Sequence, residues 1–301
     1  MLPEATAAFS VPFSLDLELT LGPYRRGPHD PTIRLAGANA WRAARTPHGP
    51  SSIHLHLDGN RLVADAWGAG ARWTLDRVPR WLGFADQPQQ FRPVNSLLHE
   101  LHRRHAGLRL GATGLVFEAL LPTVLEQKVP GVEAWNAYAR LCRSLGDPAP
   151  GDIGLFLQPS PGRLMETPYW AVHRLGIERR RFTVIKHAAS YATQLERTAM
   201  VSPEQGRRVL TSLPGVGPWS AAEVSIVAYG DPDAVSTGDY HLPHQVAWAL
   251  AGEPRANDAR MLELLEPYRG HRARVIRLLT LGGIQAPRFG PRMRLRRIGR
   301  I

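Results

Sequence analysis

The N-terminal part of the chain alternates between apolar and polar positions, as a half-buried β-strand does. One alternating run covers residues 13–21 and predicts a strand with one face in a core. Two further runs, 53–57 and 62–67, flank Asp58-Gly59-Asn60. Because glycine accepts a positive φ at little cost, the Asp-Gly pair between such runs predicts a β-hairpin. The stretch 22–31, rich in proline, glycine and histidine, is typical of a loop.

From about residue 95 the apolar positions recur at helical spacing instead. Residues 97–101, 116–125 and 132–141 each carry an apolar stripe, and the second stripe contains Pro122. A run of glycine, aspartate and proline at 146–151 then breaks the pattern, and the remainder is mostly helical with short connections.

These patterns predict an α+β protein built from two domains and a tail. We expect a β-rich N-terminal domain over residues 1–94 and an all-helical domain over residues 95–285. An arginine-rich segment, 286–301, completes the chain.

The positive charge is concentrated at the C-terminal end. The formal net charge is +11, and ten arginines but no acidic residue follow Glu266. A segment of this kind usually meets a polyanion, with nucleic acid before an anionic membrane. High-GC codon usage would explain why arginine replaces lysine, but it would not remove the acids.

Other compositional features exclude several classes of protein. No stretch approaches the roughly 20 apolar residues that a membrane span needs. The N-terminus lacks the basic start and apolar run of a signal peptide. The single cysteine, Cys142, excludes an intrachain disulfide and a four-cysteine zinc or iron–sulfur site. We therefore expect a cytoplasmic protein without a membrane partner.

The segment 202–230 has the pattern of two short helices joined by a tight turn. A capping box begins at Ser202, Pro214-Gly215-Val216-Gly217 forms the turn, and the second helix runs to Gly230. Gly215 and Gly217 lack Cβ atoms, so a phosphodiester could approach the turn closely. The unpaired N–H groups at the start of the second helix suit an anion. An ordinary glycine turn between two helices is the alternative.

Asp239 follows that second helix, 20 positions after Trp219. Its position after Gly238 and before the next apolar stripe also suits a helix N-cap. The two roles are compatible, because a capping carboxylate can also face a cleft.

Together these features resemble the helix-hairpin-helix DNA glycosylase superfamily, and within it the 3-methyladenine DNA glycosylase II, or alkylation-repair, branch. In that family a Leu-Pro-Gly-x-Gly hairpin precedes an invariant aspartate at this spacing. The matching residues are Leu213, Pro214, Gly215, Gly217 and Asp239. Residues 105–129 are similar to the family's segment that leads into its DNA-wedge loop. The resemblance covers roughly residues 95–285, and it implies for the N-terminal domain a TATA-binding-protein-like sheet.

The resemblance implies that Asp239 is the catalytic carboxylate. A fixed carboxylate beside C1′ stabilises the positive charge that develops on the sugar, and it can orient or deprotonate a water. The target nucleotide must first be extruded from the duplex.

The resemblance also implies the DNA-binding residues. The hairpin residues Leu213, Gly215 and Gly217 would hold a phosphate, and Gln127 and Lys128 would contact DNA, with Lys128 at the wedge position. An apolar wedge is expected in this branch, so Lys128 is a departure, as are its neighbours Glu126 and Pro130. The alternative is a solvated surface lysine near DNA.

Trp219 stands where strand-cutting members of the family carry a lysine that attacks the sugar. Tryptophan cannot form a Schiff base, so the resemblance implies water as the nucleophile. Trp219 and Tyr240, with Trp170 as a further wall, would form an aromatic pocket for a cationic alkylated base. The alternative for these aromatic residues is helix packing.

The expected function is therefore that of a monofunctional DNA glycosylase acting as a monomer on alkylated bases in double-stranded DNA. No metal is expected, since His241 and His244 have no usual third ligand nearby except Asp239. No cofactor is expected either, with a monovalent cation at the hairpin left open. Two alternatives remain: a glycosylase for oxidised or deaminated bases on the same fold, and a non-catalytic helix-hairpin-helix DNA-binding protein.

Overall fold

A computed structural model describes residues 2–287. Of the predicted arginine-rich segment, residues 288–301 lie outside the described part. The described chain combines an antiparallel sheet with many helices, so the mixed α+β class is confirmed. The TATA-binding-protein-like shape of the N-terminal domain and the domain boundaries remain predictions.

Five strands form the sheet, in the spatial order β1-β5-β4-β3-β2. Their bounds are β1 Ala5–Ser10, β2 Ile33–Ala36, β3 Asn39–Thr46, β4 Gly49–Asp58 and β5 Arg61–Trp67. The predicted hairpin is confirmed: β4 and β5 pair from Asp58 opposite Arg61. Gly59, at the first turn position, has a φ of 57°, which glycine adopts without strain.

The strand predicted over 13–21 is wrong. Leu17–Leu21 form a short helix, α1, and the Asp16 carboxylate accepts a hydrogen bond from the Leu19 N–H, 2.9 Å away, at its N-terminus. Leu17 and Leu21 are both buried. Residues four apart face the same side of a helix, so the apolar alternation fits one helical turn as well as a strand. The Asp16 cap decides between them.

Helices make up most of the remaining described chain. Their bounds are α2 Ala71–Trp81, α3 Ser96–Arg104, α4 Val116–Glu126, α5 Gly131–Leu145, α6 Pro161–Glu166, α7 Tyr169–His173, α8 Arg179–Ser190, α9 Ala192–Arg197, α10 Pro203–Thr211, α11 Pro218–Val224, α12 Leu242–Ala251, α13 Asp258–Leu265 and α14 Arg272–Leu281. The helices predicted from the stripes at 97–101, 116–125 and 132–141 are confirmed as α3, α4 and α5. Helix α2, which lies within the N-terminal region, was not predicted.

The two largest apolar clusters hold most of the described fold together. The larger cluster joins the inner face of the sheet and α2 to helices α4, α5, α8 and α11. The smaller cluster joins α3 to α12, α13 and α14. The N-terminal sheet therefore shares one apolar core with α4 and with the hairpin helix α11, and the segment between β1 and β2 belongs to the same core through Leu17, Leu21 and Tyr24.

Arginines of the C-terminal region that lie within the described chain bind the protein itself. Arg272 pairs with Asp233, and Arg274 pairs with Asp86 in a buried position. Arg277 donates to the Leu19 carbonyl oxygen at 3.2 Å, and burial lowers its pKa to about 10. These side chains stabilise the fold, so they are poorly placed to neutralise a polyanion. Within residues 2–287, no helix has both the length and the apolar character of a membrane span.

Candidate active site

The predicted hairpin between α10 and α11 is formed. The capping box at Ser202 is complete, with reciprocal hydrogen bonds between Ser202 and Gln205. Helix α11 continues through a π-helical turn, Ser225–Tyr229, and ends at Gly230, whose φ of 70° is left-handed. Both ends of the predicted two-helix unit therefore lie where the sequence placed them.

The two glycines of the turn have different roles. Gly215 has a φ of 86°, and a Cβ there would lie 2.3 Å from Cγ2 of Val184. Its lack of a side chain is required by the protein's own packing. Gly217 has extended backbone, and a Cβ there would meet nothing within 4 Å. The fold leaves open space at Gly217, at the start of α11. Leu213 is buried below the turn, and its carbonyl oxygen accepts the Val216 N–H at 3.0 Å.

Asp239 is held in place by three hydrogen bonds. Its Oδ2 accepts from Nε1 of Trp219 at 3.0 Å. Its Oδ1 accepts from the backbone N–H groups of His241 and Leu242 at 2.7 and 2.9 Å, at the start of α12. The carboxylate is thus both a helix cap and a partner of the hairpin helix. These hydrogen bonds fix the carboxylate. Because Asp239 is only half-buried, it also remains accessible from the surface.

The turn between α4 and α5 is tied to the hairpin. Nε2 of Gln127 donates to the Gly215 carbonyl oxygen and to Oγ of Ser220, both at 2.9 Å. The next residue, Lys128, is exposed and has a φ of 57°, a left-handed conformation that a non-glycine residue rarely adopts. Lys128 therefore projects at the tip of a turn whose position relative to the hairpin is set by Gln127.

The other predicted pocket residues lie farther from this arrangement. Tyr240 is 77% exposed, and its ring contacts the rings of His241 and His244. Trp170, on α7, is 65% exposed, and the Arg174 guanidinium lies 5.8 Å from its ring centroid. Among the described residues, neither ring makes a hydrogen bond or ring contact with Trp219 or Asp239. Their pocket roles remain predictions.

A charged cluster that the sequence did not reveal lies next to Asp239. Glu223 stands four residues after Trp219 on α11, and its Oε1 accepts from Oγ of Ser236. Arg26, from the loop after α1, pairs with Glu126 at 3.3 Å. Nε1 of Trp135 donates to the other oxygen of Glu126 at 3.1 Å.

Electrostatic interactions connect these groups to one another and to Asp239. Burial raises the pKa of Glu223; the negative charges of Glu126 and Asp239 raise it further, while Ser236 and Arg26 oppose the shift. Burial alone would lower the pKa of Arg26, but Glu126 and Glu223 outweigh it and the net shift is upward. The cluster therefore lies within electrostatic reach of the carboxylate held by Trp219.

Sequence reasoning missed this cluster for an identifiable reason. Arg26 and Glu126 are 100 residues apart in the chain, and only the packing of the N-terminal loop on α4 brings them together. Glu223 carried a usable signal, because its four-residue spacing from Trp219 places the two side chains on one helix face.

The two histidines near Asp239 contribute no metal site in the described chain. Nδ1 of His244 accepts the Ala256 N–H at 3.1 Å, and His241 contacts the ring of Tyr240. Residues 2–287 contain no group of three or more histidine, cysteine, aspartate or glutamate side chains arranged to hold a metal ion.

What the arrangement can do chemically follows from its parts. A fixed carboxylate, half-buried beside a tryptophan ring, can stabilise a cation or orient a water molecule. The hairpin that carries Trp219 also has open space at Gly217, and the turn that Gln127 ties to it carries the exposed Lys128. Such a surface suits a ligand that is a polyanion with a cationic reacting centre.

Comparisons with known proteins agree with this picture. No family model matches the chain. The sequence is 26% identical over 180 residues to DNA-3-methyladenine glycosylase 2 of Escherichia coli, covering 59% of this chain and 62% of that protein. The match thus spans about three fifths of the relative's length.

Two solved structures share the fold over nearly the whole chain. The 3-methyladenine DNA-glycosylase from Archaeoglobus fulgidus superposes with a TM-score of 0.79 at 18% identity, covering 91% of this chain and 97% of that one. The 8-oxoguanine glycosylase/lyase of Clostridium acetobutylicum, in complex with DNA, gives 0.68 at 12% identity, covering 93% and 97%. The chain is therefore similar in sequence to a 3-methyladenine DNA glycosylase and in fold to solved DNA glycosylases, in agreement with its resemblance to the helix-hairpin-helix DNA glycosylase superfamily and the 3-methyladenine branch.

Proposed function

We propose that this protein is a monofunctional DNA glycosylase that hydrolyses the N-glycosidic bond of alkylated purines in double-stranded DNA. The observation that carries the proposal is the hydrogen bond from Trp219 to Asp239. It joins the hairpin helix to the one carboxylate whose sequence position matches the family's catalytic aspartate.

In this proposal Asp239 acts on the sugar. As the base departs, positive charge develops at C1′, and the carboxylate stabilises it. The cap hydrogen bonds to Oδ1 and the indole hydrogen bond to Oδ2 keep the group from rotating away. Preorganised charge of this kind costs no rearrangement at the moment of reaction. A water then adds to C1′ and gives up a proton to the Asp239 carboxylate, and the products are the neutral free base and an abasic site.

Trp219 supports the monofunctional assignment. A lyase needs an amine that attacks C1′, and the indole ring cannot supply one. The amine of Lys186, on α8, donates a hydrogen bond to the Thr167 carbonyl oxygen, 3.3 Å away, and is therefore engaged within the protein. An alkylated purine is already cationic, so it departs without a general acid, and the indole face can attract it by stacking and cation–π interaction.

The hairpin and the α4–α5 turn would bind the duplex. Leu213, Gly215 and Gly217 form a turn that a phosphate can approach at Gly217, and Lys128 would fill the space that the extruded nucleotide leaves. Gln127 keeps the two elements in register. The proposed enzyme acts as a monomer and uses no metal or other cofactor in the chemical step; a monovalent cation at the hairpin carbonyls would serve binding alone.

A panel of duplexes tests the proposal. Purified protein is incubated with double-stranded DNA carrying 3-methyladenine, 7-methylguanine, hypoxanthine, uracil or 8-oxoguanine, and released bases are separated by chromatography. We expect release of the methylated purines, abasic product strands that break only on treatment with alkali, and no protein–DNA adduct on borohydride reduction. A trapped adduct would contradict the monofunctional mechanism. Release confined to neutral bases would contradict the alkylated substrate class, and no release from any duplex would contradict the enzyme assignment.

A further inference from the structure

The cluster of Arg26, Glu126 and Glu223 lies beside the proposed catalytic carboxylate, yet the chemical step described above uses none of these residues. Such a group of charges is costly to maintain, because ionised side chains lose hydration when they are buried. The side chain of Arg26 is 11% exposed and that of Glu126 15%. A role at the site would account for a cluster in this position.

Glu223 is the member of the cluster that is placed to meet a ligand. Residues four apart on a helix lie about 5–6 Å apart at their Cβ atoms, so Glu223 is one turn below Trp219 on the same face of α11. Ser236, which donates to Glu223, lies three residues before Asp239, which accepts from Trp219. Two hydrogen bonds thus join α11 to the segment 236–239, and they hold Asp239 next to the helix face that carries Trp219 and Glu223.

Glu223 also retains an unused acceptor. Its Oε1 is engaged by Ser236, whereas Oε2 accepts no hydrogen bond from any residue within 2–287. The side chain is half-buried, so Oε2 is not sealed in the core. By contrast, Glu126 is occupied at both oxygens, by Arg26 and Trp135.

Arg26 opposes part of the rise in the pKa of Glu223 that burial and the charge of Glu126 produce. Its guanidinium pairs with Glu126 and lies within electrostatic range of Glu223. Its Nε is buried and has no hydrogen-bond partner in the described chain. The positive charge of Arg26 offsets part of the repulsion between Glu223 and its acidic neighbours, Glu126 and Asp239.

We propose that Glu223 is a specificity-determining residue that selects an extruded purine by the amino group at C6. The inference rests on the proposed function and names the substrate class of the same site. A carboxylate accepts hydrogen bonds and does not donate them, so it attracts a cationic purine whose C6 carries an amino group, as in 3-methyladenine. It repels the oxygen at the same ring position of 7-methylguanine, which is also an acceptor.

The test uses both bases in one reaction. Methylated duplex DNA containing 3-methyladenine and 7-methylguanine is incubated with the wild-type protein and with Glu223→Gln, and the two released bases are quantified together. Both bases are cationic while attached to the sugar and leave as neutral molecules, so a general loss of activity would lower both rates and leave their ratio unchanged. Glutamine keeps the acceptor for Ser236 but adds an amide donor. We expect the ratio of 3-methyladenine to 7-methylguanine release to fall by about ten- to a hundredfold, the range for one hydrogen bond to a charged group.

Two further variants complete the experiment. Glu223→Asp keeps the charge but withdraws it by one methylene, and it should lower the ratio in the same direction. Glu204→Gln, on the exposed face of α10, is the matched control and should leave the ratio unchanged. If either folded Glu223 variant keeps the wild-type ratio, the inference is wrong. If the wild-type protein releases neither base, the proposed function itself fails, and the two failures are therefore distinguishable.

Discussion

The two glycines of the hairpin offer a matched pair of substitutions that separate folding from DNA binding. Gly215→Ala adds a methyl group 2.3 Å from Cγ2 of Val184, at a residue whose φ is 86°. A non-glycine residue in the left-handed region costs about 1–2 kcal/mol, and overpacking a filled site adds about 1–3 kcal/mol. The free energy of unfolding should therefore fall by about 2–5 kcal/mol.

Gly217→Ala should change the stability little and weaken DNA binding instead. The added methyl group meets nothing within 4 Å, and the backbone is extended, so neither packing nor φ resists it. Gly217 is the N-cap of α11, where alanine is less favourable than glycine, so the loss of stability should stay below about 1 kcal/mol. The methyl group would, however, occupy the space through which a phosphate reaches the start of α11. Affinity for undamaged duplex should fall about ten- to a hundredfold, as expected when a hydrogen bond to a charged group is lost.

Two assays on the two variants provide the answer. Urea unfolding monitored by tryptophan fluorescence gives stability, and fluorescence anisotropy of a labelled duplex at fixed salt gives affinity. A Gly217→Ala variant that bound DNA as tightly as the wild-type protein, or that lost as much stability as Gly215→Ala, would contradict the different roles of the two glycines.

Further predictions concern other residues of the site and its support. Burial raises the pKa of Glu196, which accepts the first N–H groups of α4, to about 7, so the folded state binds a proton between pH 4.5 and 7 that the unfolded state releases. The free energy of unfolding should therefore fall as pH rises through that window, by up to about 3 kcal/mol more than in Glu196→Gln. If urea unfolding at pH 5 and pH 8 gave the same change in this free energy for both proteins, the prediction would be wrong. Gln127→Ala removes the link from the α4–α5 turn to Gly215 and Ser220; base release should fall more than duplex affinity does, and equal losses measured under single-turnover conditions would argue against a positioning role. Duplex affinity should decrease with salt, and Lys128→Ala should reduce the slope of log affinity against log salt by about 0.9 if the ammonium neutralises one phosphate; an unchanged slope would argue against that contact.

The features that sequence predicted well are those determined within a few residues. The capping box at Ser202, the glycine turn and the left-handed stop at Gly230 each depend on local backbone chemistry. The hairpin between β4 and β5 is of the same kind. The spacing from Trp219 to Asp239 suggested a relation between these residues, and the structure adds the hydrogen bond that joins them.

The features that sequence missed depend on competition or on distant packing. The alternation over residues 13–21 fits both a strand and one helical turn, and the Asp16 cap decides in favour of the helix. The pairing of Arg26 with Glu126 arises only when the N-terminal loop packs on α4. No local pattern encodes such a contact. The arginines near the C-terminus show the same limit, since Arg274 is buried against Asp86 from a distant loop.

The most direct measurement of the central claim is single-turnover release of 3-methyladenine by Asp239→Asn. Asparagine is nearly isosteric and keeps an oxygen for the cap of α12, and the melting temperature of the variant reports whether that cap survives. We expect base release to slow by at least about a hundredfold, while affinity for the duplex changes by no more than about threefold. Release at the wild-type rate by the folded variant would contradict the assignment of Asp239 as the catalytic carboxylate.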